Sequence, residues 1–85
     1  MNPLVKLKLH KIIKAANLDG SFKYVAVDRM SSEARVYAYV SKPVLRPISS
    51  MVIWDRDGAD MQCQILKIID SHTITIDDCK ELIEL

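Results

Sequence analysis

Three carboxylates, Asp55, Asp57 and Asp60, lie in the segment Asp-Arg-Asp-Gly-Ala-Asp, and alternating acids beside a glycine turn are the residue types that converge on calcium. The pattern lacks the further oxygen ligands and distal glutamate of a complete calcium loop, and its flanks read as strands. A solvated hairpin that offers an acidic surface to a basic partner is therefore expected. The softer ligands His10, Cys63, His72 and Cys79 are scattered, with no close-spaced cysteine or histidine pair, so zinc is not expected. Ser49 and Ser50 lack a nucleophile-elbow context, and neither histidine has a nearby nucleophile that would suggest a triad. Two glycines, Gly20 and Gly58, are too few for a loop that cradles phosphate. These residues predict no catalytic site, no metal and no cofactor, and hence a protein that is not an enzyme.

Binding chemistry is better represented. Lys6, Lys8, Lys11 and Lys14 interrupt the first apolar segment, and residues 1–24 hold five lysines against Asp19. Residues 55–85 instead hold eight acids against Arg56, Lys67 and Lys80, so a net charge of only +1 conceals a polarised chain. Such asymmetry orients a charged partner, or else marks two solvated faces that attract one another within the fold. Tyr37 and Tyr39, with Tyr24 and Trp54, are aromatic positions on strand-like segments, suited either to base stacking or to half-buried sheet packing. The candidate partner-binding residues are thus Lys6, Lys8, Lys11, Lys14, Tyr37, Tyr39, Asp55, Asp57 and Asp60.

These side chains need elements to hold them. Eighty-five residues suit one domain, spanning 1–85, around one core. Asn2 followed by Pro3 reads as a helix N-cap with proline in the first turn. Val5, Leu9, Ile12, Ile13 and Ala16 then form one stripe, and 17–20 supplies the stop. The competing alternation at 5–9 suits a strand, but length and capping favour the helix. Leu4, Leu7 and Leu18 project away from the stripe, towards a second surface or solvent. Segments 22–28 and 34–40 read as paired strands, while prolines 43 and 47 make 42–47 an extended connection that cannot be a central strand. Met51 to Trp54 reads as a third strand, with Trp54 beside Val52 and Ile53 as the core anchor. Asp57-Gly58 then turns the chain into a fourth strand over 61–69, forming a hairpin. Thr75 with Asp78 resembles a capping box, and Ile76, Cys79, Leu82 and Ile83 form the inward stripe of a closing helix. The expected fold is α+β: a small antiparallel sheet of about four strands with an N-terminal and a C-terminal helix, in the order α-β-β-β-β-α.

The runs Val25-Ala26-Val27-Asp28, Val36-Tyr37-Ala38-Tyr39 and Ser41-Lys42-Pro43, followed by Trp54, resemble a layout of small uncharacterised bacteriophage proteins over about half of the chain. The resemblance implies a phage or prophage accessory protein. Pro43, Pro47, Val52-Ile53, Asp55 and Gly58 also stand in an order similar to that of the phage uracil-DNA glycosylase inhibitors. Those inhibitors are strongly acidic DNA mimics, whereas this chain carries +1 and a basic first helix, so no inhibitory residue carries over. No apolar run approaches the roughly 20 residues of a membrane span, the N-terminus lacks a cleavable leader pattern, and two cysteines form no disulfide framework. A cytoplasmic location is expected, in the host cell if the chain is phage-encoded. The expected function is non-enzymatic binding of a host or phage protein, as an inhibitor or modulator. The alternative is a nucleic-acid-binding module built on the basic helix.

Overall fold

The computed structural model describes residues 1–48, 50–56 and 62–85; Ser49 and the expected turn with Asp57, Gly58 and Asp60 lie outside the described residues. Helix α1 (Pro3–Ala16) forms where its caps require it. The Asn2 side chain accepts the Leu4 N–H at 2.8 Å, and Pro3 stands in the first turn, where a missing donor costs nothing. Asn17 ends the helix in the left-handed conformation (φ 49°), which a short polar side chain tolerates. Leu9 is fully buried, with Val5, Ile12 and Ile13 packed against the same core. The capped helix thus prevails over the strand-like alternation at 5–9.

Strands β1 (Tyr24–Arg29) and β2 (Glu33–Tyr39) pair antiparallel from Tyr24↔Tyr39 to Arg29↔Ala34. Their small and β-branched residues Val25, Val27, Ala34, Val36 and Ala38 are all buried, which places this hairpin at the centre of the sheet. Further strands are β3 (Val44–Ile48), β4 (Met51–Asp55), β5 (Cys63–Asp70) and β6 (Ile83–Glu84). The order is β3-β4-β1-β2-β5, with β6 added beside β1. A 3₁₀ turn (Ser71–Thr73) and a short helix α2 (Ile76–Cys79) separate β5 from β6. No helix among the described residues is long and apolar enough to cross a membrane.

The α+β class holds, with three corrections to the expected order. Segment 42–47 is largely a strand: β3 pairs with β4 from Val44↔Asp55 to Ile48↔Met51. It lies at the sheet edge, the position that accommodates a proline without a donor. The expected hairpin between β4 and the strand after 61 is absent. β4 lies between β3 and β1, whereas β5 pairs with β2 from Glu33↔Asp70 to Tyr39↔Cys63. The apolar β1–β2 hairpin has two open sides, and each of these strands covers one.

The closing helix is likewise shorter than its stripe. β4 bridges β1 only at Arg29↔Val52, leaving the other end of that edge open. Ile83 and Glu84 fill the gap opposite Val25 and Tyr24, because main-chain groups of a central strand need partners. Leu82 and Ile83 are therefore outside the helix and still packed on the core.

Asp78 joins the two ends of the fold. Its N–H donates to Thr75 Oγ1 at 3.1 Å, as the cap predicts, while its carboxylate accepts the Asn2 N–H at 3.0 Å. The Asn2 N–H, followed by the Thr75 groups, holds this carboxyl below its ordinary range despite opposing burial. A depressed carboxylate stabilises the fold above its unfolded pKa, about 3.9, and loses that contribution as pH falls through the folded value. Asp78→Ala is expected to cost about 1–3 kcal/mol at pH 7. In urea titrations the gap from the parent should narrow as pH falls below 4, whereas a pH-independent gap would contradict the ionised contact.

Candidate functional site

Two groups of side chains lie together, one buried and one open. The buried group surrounds Trp54, which is only 8% exposed. Its indole N–H donates to the Cys79 carbonyl at 2.8 Å, and its main-chain N–H donates to Asp28 Oδ1 at 2.8 Å. Tyr39 Oη donates to the Trp54 carbonyl at 3.5 Å, and Arg29 Nε to the Ile74 carbonyl at 2.9 Å. Burial raises the Asp28 carboxyl above its usual value, opposed by the Trp54 N–H. It also pushes the Cys79 thiol up to about 12 and raises the Tyr39 phenol. A protonated, fully buried thiol is a poor nucleophile and a poor metal ligand. Every buried side-chain N or O among the described residues has a partner, so this network uses its polar atoms to hold β4 where it leaves β1.

The open group is a groove of about 620 Å³ between α1 and the edge strand β5. Leu4, Leu7, Ile12 and Ala15 form its helical wall, and Leu66 and Ile69 its strand wall. Helical periodicity explains the first wall, since Leu4 and Leu7 lie away from the stripe that buries Leu9. A bulge explains the second: Val36 opposes Lys67 and Tyr37 opposes Ile65, leaving Leu66 unmatched. The interrupted alternation brings Leu66, Lys67 and Ile69 to the groove together. Leu4 and Leu7 remain 77% and 55% exposed. Lys8 and Lys11 stand on the helical side and Lys67 on the strand side, and among the described residues no acid lines the groove.

No protein family, curated protein or solved structure matches this chain.

The structure separates the candidate residues. All four helix lysines are exposed, but only Lys8 and Lys11 reach the groove. Lys6 lies in a smaller depression with His10, Glu81 and Glu84, and Lys14 in another with Asp19, Phe22 and Leu85. At about 100° per residue, Lys14, Lys11 and Lys8 follow Lys6 around the helix at about 80°, 140° and 200°, so the four do not share one face. Tyr37 is half-buried, but Tyr39 is 2% exposed and cannot meet a partner. Its place opposite Tyr24, at the centre of the sheet, puts its hydroxyl beneath the main chain of β4. Trp54 is equally unsuited to a stacking platform. Asp55 is exposed and paired across the β3–β4 ladder with Arg46 at 2.9 Å, while Asp57 and Asp60 lie outside the described residues. Among the described residues no three His, Cys, Asp or Glu side chains gather to hold a metal ion. Lys67, Leu66 and Ile69 were not among the expected contacts, because their place opposite α1 depends on the pairing of β5 with β2.

Proposed function

We propose that this chain is a non-enzymatic accessory protein of the phage type that binds a protein partner, as an inhibitor or modulator, through the α1–β5 groove. The observation carrying this reading is the apolar trough, whose walls expose Leu4 and Leu7 on a well-capped helix. Its helical wall interleaves Lys8 and Lys11 with Leu4, Leu7 and Ile12, a mixture that offers a partner both apolar and cationic contacts. Its volume falls within the range of ligand pockets, about 300–1,000 Å³, but it is an open trough that leaves one side of an occupant uncovered. That shape suits a macromolecule better than an enclosed small molecule.

A nucleic-acid role is less well supported, since phosphate recognition calls for a basic stripe with polar donors. Here the four helix lysines divide among three places, and the floor between Lys8, Lys11 and Lys67 is aliphatic. The test compares the tagged parent with Leu7→Asp, an exposed position whose change should leave the fold intact, in affinity capture from host lysate. The parent should retain a specific protein that Leu7→Asp loses. Equal capture by both would overturn the groove as the contact surface. Tight binding of the parent to a DNA or RNA fragment, falling steeply with salt, would favour the nucleic-acid reading instead.

A further inference from the structure

Resting on that reading, we infer that the groove receives an acidic amphipathic helix of a partner protein, with an apolar stripe bordered on both sides by carboxylates. The charge pattern selects this occupant. Lys8 and Lys11 lie one turn apart on α1, Lys67 faces them from β5, and among the described residues no acid lines the groove beside them. A helix laid along the trough places its apolar side chains on Leu4, Leu7, Ile12, Leu66 and Ile69. Glutamates or aspartates beside that stripe then meet Lys8 and Lys11 among the leucines of the helical wall and Lys67 on the strand wall. From Leu4 to Ala15 the helical wall runs about 16 Å at 1.5 Å per residue, which matches three turns with anchors at i, i+3 or i+4, and i+7.

Two other occupants fit less well. An added strand would have to pair with the outer edge of β5, where the bulge at Leu66 and the charge of Lys67 are features that discourage edge pairing. A second copy using the same groove would set lysines against lysines. Among the described residues no exposed acid of a second copy lies on a helix of three turns: Asp19 is in a loop, Asp55 and Asp70 end strands, and Asp77, Glu81 and Glu84 lie on a four-residue helix, the turn after it and a two-residue strand.

The probes are two synthetic peptides of about 15 residues, the length at which an isolated helix becomes marginally stable. Both carry leucines at i, i+3, i+4 and i+7; one flanks them with glutamate and the other with lysine. Fluorescence anisotropy at low and high salt is read for the parent, for Leu7→Asp, and for a variant combining Lys8→Glu, Lys11→Glu and Lys67→Glu. Circular dichroism checks that the variants stay folded, and the corresponding Lys→Gln set replaces any that do not. The glutamate peptide should bind the parent at least about tenfold more tightly than the lysine peptide, a difference of about 1.4 kcal/mol. The charge-reversed variant should invert that preference, the Lys→Gln set should erase it, and Leu7→Asp should weaken both peptides.

Equal affinity for the two peptides, or no saturable binding of either, overturns the inference. Capture that still depends on Leu7 would then leave the groove as a docking surface for a partner of different chemistry. Concentration-dependent dimerisation of the parent in sedimentation, abolished by Leu7→Asp, overturns it too, by assigning the groove to a second copy.

Discussion

Replacing Trp54 by alanine is expected to lower the unfolding free energy by about 3–5 kcal/mol, the range for a large buried aromatic. At roughly 0.05–0.15 kcal/mol per residue, a domain of this length has only about 4–13 kcal/mol in total, so the variant loses a large share of its stability and unfolds at 37 °C if the parent lies at the low end of that range. The loss has two physical parts. The indole leaves a void against Val52 and its neighbours in the core, and the Cys79 carbonyl loses the N–H that satisfies it at 2.8 Å. Trp54→Phe separates them, because it keeps much of the bulk and removes the donor. It should cost about 1–3 kcal/mol, the penalty for an orphaned buried acceptor. Urea denaturation followed by circular dichroism measures both. An alanine variant with the parent's midpoint would show that Trp54 is not in the core.

The second large effect lies on α1. Leu9 is the helix's fully buried side chain, and Leu9→Ala should cost about 2–5 kcal/mol. Leu7→Ala, two residues away, should stay within about 0.5 kcal/mol, because that side chain is already mostly in water. The pair tests the orientation of the helix. Similar losses at both positions would mean that α1 is rotated and that its groove wall is part of the core.

Features encoded over a few residues were legible in the sequence. Asn2, Pro3 and Asn17 bound α1 through contacts within one turn, and the strand-like runs around Val25 and Val36 pair as neighbours. Features that depend on distant segments were not. The residues between β4 and β5 suggest a chain reversal, but adjacency in sequence does not decide which strand lies beside which. β4 and β5 take opposite sides of the central hairpin. The spacing of Ile76, Cys79, Leu82 and Ile83 fits a helical stripe, yet the vacant edge of β1 claims Ile83. Tyr37 and Tyr39 share one face and differ in depth: Tyr37 lies between Ala26 and Ile65, whereas Tyr39 lies between Tyr24 and Cys63 with its hydroxyl on the Trp54 carbonyl. Half of the groove was visible in Leu4 and Leu7, which stand off the helix stripe. The other half, at Leu66, Lys67 and Ile69, arises from the long-range pairing of β5.

The anchoring of Asn2 by Asp78 and of Tyr24 and Val25 by Glu84 and Ile83 bears on how the chain is made. A nascent chain lacking residues 78–84 has its N-terminal helix untethered and its central strand with an open edge. The full sheet and the helix tether therefore form only once residues 78–84 have left the ribosome. Until then the apolar β1–β2 hairpin is accessible to chaperones, to proteases and to other nascent copies. Contacts between such distant segments also make folding slower than that of a helical bundle of the same length.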